Sequence, residues 1–186
     1  NMRRRGKHRL PNRDPQPLAV PEAENHSWSM DFMSDALTCG RRFRTFNVVD
    51  DFNREVLGIE IDLNLPSQRV IRALDRIVEW RGYPAQIRMD NGPEFTALCL
   101  SDWAEEHGVK LEFIKPGKPT QNGYVERFNR TYRTEILDYY LFSDLEEVRD
   151  ITSRWMREYN EERPHESLGD LTPNEYREQA TSPENL

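Results

Sequence analysis

The chain has 186 residues, of which 36% are hydrophobic and 32% charged, and its formal net charge is −7. This length allows one compact domain with an appendage and excludes two full domains. No apolar run approaches the roughly 20 residues of a membrane helix, and the basic N-terminus is not followed by the apolar stretch of a secretory signal, so we expect no membrane partner.

The charge is unevenly distributed, and this matters more than its sum. Residues 1–13 carry six basic side chains and no acid, and residues 115–133 carry five bases and one acid. Residues 138–186 carry thirteen acids and five bases. Two basic segments are therefore available to meet nucleic-acid phosphate, with ordinary solvated faces as the alternative interpretation.

The two cysteines, Cys39 and Cys99, show neither metal-ligand spacing nor a disulfide framework. They are interpreted as reduced thiols, which are typical of a cytosolic protein.

The N-terminal half of the chain predicts an arm followed by a three-stranded meander. Residues 1–26 contain four prolines and no sustained periodicity, which indicates a basic, Pro-rich arm or linker. Alternating apolar side chains then predict strands over about 28–35, 42–50 and 55–63, and the short turns between them favour antiparallel pairing.

After the meander, helices alternate with strands. A helix begins near Pro66-Ser67 and ends at Gly82, a strand covers 84–89, a second helix ends at Gly108, and a strand follows over 109–113. A loop at 115–119 precedes a third helix, predicted from 122 to about 138. The order βββαβαβα predicts an α/β fold with a mixed five-stranded sheet flanked by helices over residues 27–140.

Residues 141–186 are predicted to form a helical C-terminal extension. Apolar side chains at helical spacing mark an amphipathic helix, and a short helix follows Thr172-Pro173; the apolar stripe comprises Leu145, Val148, Thr152, Trp155 and Tyr159. This stripe requires burial, either on the chain's own sheet or on a second protomer.

Three acidic side chains occupy positions from which they can converge. Asp31 lies in the middle of the first strand, Asp90 directly follows the fourth, and Glu126 lies in the first turn of the third helix. If the first and fourth strands are neighbours, Asp31 and Asp90 come side by side, and a helix crossing the sheet brings Glu126 to them. A surface charge, or for Asp90 a role in the Asp-Asn-Gly turn, is the alternative.

A cluster of three acids is repulsive unless a cation neutralises it. Ligands that are all oxygen favour Mg²⁺ or Mn²⁺. Two such ions, roughly 4 Å apart, can serve an in-line displacement at phosphorus.

The third helix carries basic side chains on the same stripe as its acid. At 100° per residue, Glu126, Arg130 and Arg133 share one face, with Asn122 and Asn129 beside it. An acid flanked by arginines suits a site that binds metal and grips a phosphodiester backbone. An ion pair between residues four apart on the helix is the competing interpretation.

Thirty-five residues separate Asp90 from Glu126. Together with Trp-Ser-Met-Asp-Phe at 28–32, Asp-Asn-Gly-Pro-Glu-Phe at 90–95 and the segment 115–129, this spacing resembles the D,D-35-E family of retroviral integrases and the IS-three group of bacterial insertion-sequence transposases. The segment 159–168, which contains Arg-Pro-His-Glu-Ser-Leu, and the Leu-Thr-Pro that follows resemble the bacterial group. The resemblance covers about residues 25–178.

This resemblance implies an RNase H-like fold and a metal-dependent polynucleotidyl transferase that cleaves and joins DNA strands for a mobile element. It implies that Asp31, Asp90 and Glu126 are the catalytic metal ligands, holding two Mg²⁺ or Mn²⁺ ions when DNA is bound. Asp50, at the end of the second strand, is expected to support this site, as are Asn91 and Glu94. The expected DNA contacts are Lys115, Lys118, Gln121, Asn122, Tyr124, Arg127, Arg130 and Arg133.

The expected partners are the ends of the mobile element and its target DNA, bound by a homodimer or higher oligomer. The zinc-binding domain of viral integrases and a helix-turn-helix reader are both missing from this sequence, so we expect a separate N-terminal region to read the DNA sequence and this chain to bind phosphates. The expected location is a bacterial cytoplasm, at the nucleoid. Two alternatives stay open: an RNase H-like nuclease that does not join strands, and a catalytically silent DNA-binding module.

Overall fold

The computed structural model describes residues 20–115 and 119–182 and contains one five-stranded mixed sheet. The strand order is β3-β2-β1-β4-β5, with β1 and β2 antiparallel, β2 and β3 antiparallel, and β4 and β5 both parallel to β1. The strands are β1 Ser27–Ala36, β2 Arg42–Asp50, β3 Val56–Asp62, β4 Gln86–Met89 and β5 Lys110–Phe113. The predicted meander, element order and fold class are confirmed, and β1 lies at the centre of the sheet.

Helices cover both faces of this sheet. They are α1 Ser67–Arg81, α2 Leu98–Glu106, α3 Gly123–Tyr132, α4 Leu145–Glu161 and α5 Pro173–Thr181. One apolar cluster joins α1 and α2 to the first face, and a second joins α3 and α4 to the opposite face. None of the helices within the described residues is long and apolar enough to cross a membrane.

The alternation of β1 decides which side chains meet which helices. Trp28 and Met30 are fully buried in the cluster with α1 and α2. Asp31 and Met33 point the other way, toward α3, because successive side chains of a strand face opposite sides of the sheet. Burying each large apolar side chain stabilises the fold by about 1.5–3 kcal/mol, so the register of β1 is firmly set and carries Asp31 to the α3 face.

The third helix is less regular than predicted. A 3₁₀ turn over Pro119–Asn122 precedes α3, and a π-helical turn over Arg133–Leu137 follows it. The wide turn is visible in the hydrogen bond from the amide of Asp138 to the carbonyl of Arg133, five residues earlier, at 2.8 Å. The adjacent side chains Ile136 and Leu137 of this turn are both buried.

The C-terminal extension packs on the chain's own sheet. Val148, Thr152, Trp155 and Tyr159 of α4 are buried in the cluster that also holds residues of β2, β3 and α3. The hydroxyl groups of Tyr132 and Thr152 are hydrogen-bonded at 2.7 Å. The structure therefore shows the apolar stripe buried within the chain, which is one of the two burials predicted for it.

Candidate active site

Asp31 is fixed by a chain of amide hydrogen bonds that crosses from the sheet to α3. Its Oδ1 accepts from the backbone amide of Phe32 at 2.8 Å, and its Oδ2 accepts from Nδ2 of Asn129 at 2.8 Å. The Oδ1 of Asn129 accepts in turn from Nδ2 of Asn47 at 2.7 Å, and Asn47 stands opposite Asp31 in the β1–β2 register. The hydrogen bonds from Asn47 to Asn129 and from Asn129 to Asp31 thus orient the carboxylate and fix the distance between α3 and β1.

Asp90 follows β4, the parallel neighbour of β1. Ser29 stands opposite Arg88 in this pair, so the same register continued for two residues sets Asp90 level with Asp31. The Oδ1 of Asp90 accepts from the amide of Gly92 at 2.9 Å. Asp90 therefore belongs to the Asp-Asn-Gly turn and also lies beside Asp31.

Glu126 lies in the first turn of α3 and is half-buried. It precedes Asn129 by three residues, so the two side chains share one face of the helix, the face that meets β1 at Asp31. Partial burial raises the pKa of Glu126, and the charge of Arg130 counteracts this rise. Among the described residues Glu126 and Arg130 form no direct ion pair, so the carboxylate is not locked into an intrahelical salt bridge.

The charges of Asp90 and Glu126 both act on Asp31. Burial, together with these two charges, raises the pKa of Asp31 to about 6, against the opposing effect of the hydrogen bonds from Phe32 and Asn129. Among the described residues, no three acidic, histidine or cysteine side chains already stand in the geometry that holds a metal ion. Direct convergence on a shared metal therefore stays a prediction.

Glu94 and Asn91 lie in the loop that follows β4, next to Asp90. Glu94 forms an ion pair with Arg44 of β2, whose guanidinium lies 4.3 Å from the centre of the Phe32 ring. A Cβ added at Gly92 would lie 3.0 Å from Oδ1 of Asp90 and 3.5 Å from Oε2 of Glu94, so the two carboxylates flank this glycine.

Burial alone would raise the pKa of Glu94, but the hydrogen bond and charge of Arg44 outweigh it, and the pKa is lowered. Asn91 donates to the carbonyl of Ile114 at 2.9 Å and ties the loop after β4 to the end of β5. The Arg44–Glu94 ion pair and the hydrogen bond from Asn91 to Ile114 both hold the loop that carries Asp90.

The structure does not bring Asp50 to the three acids, which corrects the expectation for this residue. Asp50 pairs with Trp28 in the register, three residues from Asp31, or about 10 Å along a strand. Its carboxylate accepts from Arg81 at 3.0 Å and from the backbone amides of Asn25 and Phe52 at 3.0 Å. Asp50 is therefore part of a buried ion network at the other end of β1.

Several of the residues expected to contact DNA are engaged inside the protein. Asn122 is buried and donates to the carbonyl of Met30 at 3.3 Å. Arg133 forms an ion pair with Asp35 at 2.6 Å and also donates to the carbonyl of Ser34 at 2.7 Å.

The other expected contacts differ in their surroundings. The side-chain oxygen of Gln121 accepts from the amide of Lys115 at 2.9 Å, and Tyr124 lies under the guanidinium of Arg54. Lys115, Arg127 and Arg130 are exposed, so their charged groups can reach a phosphate. Lys118 and the basic residues 1–13 lie outside the described residues.

Two residues of β2 that support the site, Asn47 and Arg44, were not predicted from the sequence. Arg54 in the β2–β3 turn, whose guanidinium lies over Tyr124, was not predicted either. For Asn47 a signal was present, because a single amide within Phe46-Asn47-Val48-Val49 is unusual in a buried strand and indicates a polar partner.

The sequence profile of the integrase core domain family matches residues 21–119, and a second profile with the same description matches residues 107–173. The chain is 45% identical over 175 residues to an insertion element IS407 protein of Burkholderia multivorans, covering 94% of this chain and 63% of that protein. It is 28% identical to the putative transposase InsK of insertion sequence IS150 from Escherichia coli K12, covering 86% of this chain and 56% of that protein. The chain thus spans somewhat over half the length of these relatives.

Among solved structures, the HTLV-2 integrase catalytic core domain in complex with magnesium, in a trimeric form, superposes with a TM-score of 0.68. The identity is 18%, and the match covers 87% of this chain and 99% of that one. The likeness shows that the fold is RNase H-like.

Proposed function

Because the chain belongs to the integrase core domain family, we propose that it is the catalytic core of a DNA transposase that cleaves and joins DNA strands for a mobile element. The observation that carries the proposal is the mutual placement of three acids: Asp31 and Asp90 at one level of adjacent parallel strands, and Glu126 on the helix that is tied to Asp31. The coupling of Asp31 to both other acids supports it.

The donor set fits a hard divalent cation. Asp31, Asp90 and Glu126 offer only carboxylate oxygens, which are the ligands that Mg²⁺ and Mn²⁺ prefer. Burial first, and the charges of Asp90 and Glu126 in addition, disfavour the ionised form of Asp31, and a bound cation would offset both effects. Two bound ions would supply charge stabilisation to the attacking and leaving oxygens. The viral core with the matching fold is a magnesium complex.

The protein's own side chains position the reacting groups. Asn129 and the Phe32 amide direct the two oxygens of Asp31, and the Gly92 amide directs Asp90. Water attacks a phosphodiester at the end of the element and frees a 3′-OH, which then attacks a second strand. Both steps are in-line displacements at phosphorus, so no covalent bond between protein and DNA is needed.

The DNA path proposed here follows the exposed cations Lys115, Arg127 and Arg130. Helix α4 packs against β3, on the other side of β1 from β4 and Asp90, and we expect its acidic side chains to point away from this path. Joining two ends requires at least two active sites, so the chain acts as a dimer or higher oligomer on DNA. We place this assembly in the bacterial cytoplasm, on the chromosome.

The test is a strand-transfer assay with labelled element ends, a target plasmid and Mg²⁺ or Mn²⁺. Asp31→Asn, Asp90→Asn and Glu126→Gln should each abolish cleavage and joining, whereas Asp102→Asn, an exposed acid on α2, should retain both. Cleavage without joining would favour the RNase H-like nuclease. Absence of any metal-dependent reaction in the wild type would favour the silent DNA-binding module.

A further inference from the structure

The Arg-Pro-His-Glu-Ser-Leu segment at 163–168 has no part in the site described above. It folds back over the start of α3 and, together with the β2–β3 turn, closes a groove of about 370 Å³. This volume is in the range of roughly 300–1,000 Å³ that is typical of ligand sites. The polar side chains that line it include Arg54, Tyr124, Arg127, Tyr159, His165 and Ser167, and the exposed residue Glu166 also lines it.

Arg54 gives this groove a half-buried positive charge. Its guanidinium lies 3.8 Å from the centre of the Tyr124 ring and donates to the carbonyl of Phe52 at 3.3 Å. Within the part of the chain that the structure describes, no carboxylate lies within ion-pair distance of Arg54, and Asp51 acts on it only at longer range. Burial lowers the pKa of Arg54, as expected for a cation with no adjacent anion.

The backbone of Arg54 is also held in an unusual conformation. Its φ is +62°, in the left-handed region that few residues other than glycine and asparagine adopt. The guanidinium of Arg54 is partly desolvated and has no counter-ion among the described residues, so it is suited to bind an anion from outside the protein. Arg127, exposed on the first turns of α3, adds a second positive charge to the same groove.

His165 offers a hydrogen-bond acceptor on the other side of the groove. Burial, and then the charges of Arg163 and Arg54, lower the pKa of His165 to about 4, so the ring is neutral at pH 7. One ring nitrogen bonds to the backbone of Tyr159. The other, Nε2, is buried and has no hydrogen-bond partner among the described residues, so it is left to accept from an N–H or O–H group.

We propose that this groove binds one unpaired nucleotide of the DNA strand, with its phosphate at Arg54 and Arg127 and an N–H group of its base at Nε2 of His165. The proposal rests on the proposed function, since Arg127 directly follows Glu126 on α3 and the groove therefore borders the helical turn that carries one of the three acids. The groove is sized for one nucleotide and not for a duplex. The Glu166 carboxylate excludes the phosphate from the opposite edge.

Fluorescence anisotropy in EDTA measures how tightly the protein binds DNA when no catalysis can occur, and so tests the groove on its own. The probes are a duplex with a three-nucleotide single-stranded end and a blunt duplex of equal length. Arg54→Asn removes the charge but keeps a residue that tolerates positive φ, and we expect about a tenfold loss of affinity for the overhang duplex and little change for the blunt one. Arg127→Gln, at an exposed position that does not threaten folding, should show the same preference.

His165→Phe should weaken overhang binding about fivefold without changing the salt slope, because it removes a neutral acceptor. The matched control is Arg72→Gln, an exposed arginine on α1 at the other face of the sheet, which should leave both probes unaffected. Thermal melts establish that each variant is folded.

Three outcomes would overturn the proposal. Equal losses on both duplexes would mean that the arginines meet paired DNA. Unchanged binding in Arg54→Asn and Arg127→Gln would mean that DNA does not enter the groove. Complete displacement of the overhang duplex by millimolar inorganic phosphate at constant ionic strength, together with unchanged binding in His165→Phe, would mean that the groove binds free phosphate and not a nucleotide. Because no metal is present, a failure of strand transfer in the assay above leaves these results interpretable on their own.

Discussion

Replacing Asp31 by asparagine should stabilise the metal-free protein above pH 6. The pKa of Asp31 is raised from 3.8 to about 6 in the folded chain, so folding favours its protonated form. The ionised carboxylate therefore destabilises the fold at pH values above 6. This penalty fades as the pH falls through 6 and is absent below 3.8, where Asp31 is protonated in both the folded and the unfolded state.

The size of the effect follows from two terms. A rise of about two pKa units corresponds to roughly 3 kcal/mol, which partial solvation of the side chain reduces. Asparagine has one acceptor oxygen and can serve either the Phe32 amide or Asn129, so it loses one hydrogen bond, about 1 kcal/mol. The net gain is about 1–2 kcal/mol, or a Tm higher by roughly 2–8 °C for a chain of this size.

Thermal melts in EDTA at pH 8 and at pH 4.5 measure this gain, with Asp102→Asn as the control for loss of a solvated charge. The Tm of Asp31→Asn should exceed that of the wild type by the largest amount at pH 8, and this difference should shrink toward pH 4.5. Added Mg²⁺ should raise the Tm of the wild type and not that of the variant. A variant that is less stable than the wild type at pH 8, or a difference in Tm that does not depend on pH, would refute the electrostatic argument.

The remaining predictions concern the helix, the DNA path and the extension. Asn129→Ala should reduce strand transfer about 10–100-fold and weaken Mn²⁺ binding measured by calorimetry, because Asp31 loses the amide that orients it; unchanged binding would contradict this. Arg130→Ala should lower the salt slope of DNA binding by about one, whereas Arg133→Ala should chiefly lower the Tm, since Arg133 already pairs with Asp35; equal slopes for both variants would reverse the assignment. Arg177→Ala should destabilise the fold by about 3 kcal/mol in urea titrations, because it removes a partner of the buried carboxylate of Glu55; a surface-like loss below about 0.5 kcal/mol would show that the contact is not needed.

The features that could be predicted from the sequence are those written in local patterns. The alternation of Trp28, Met30 and Phe32 set the face of Asp31, and the Asp-Asn-Gly turn set the end of β4. The parallel pairing of β1 with β4 was a condition of the prediction, because local patterns do not fix which strands are neighbours in a sheet, and the structure meets this condition. Given that pairing, the relative placement of Asp31 and Asp90 follows from the local patterns.

The features that could not be predicted depend on strand direction and long-range pairing. Asp50 ends β2 just as Asp90 follows β4, but β2 runs antiparallel to β1, so its end lies beside the start of β1 and away from Asp31. The partners Asn47 and Asn129 are 82 residues apart, and Arg133 and Asp35 are 98 apart. No local periodicity reports such pairs, so the helical face and the family resemblance indicated a DNA contact for Arg133 but not its ion pair with Asp35.

The buried ion network at the start of β1 links the C-terminal extension to the proposed nucleotide groove. Glu55 binds Arg177 of α5 at 2.7 Å and Arg81 of α1 at 3.1 Å, and Asn53 donates to the carbonyl of Pro173 at 3.0 Å. These contacts flank Arg54 on both sides and hold the strained turn that presents its guanidinium. The helices of the extension are therefore needed for the shape of the groove as well as for the core. The 163–168 loop follows α4 closely, so the helix that completes the core also positions His165 in the same groove as Arg54.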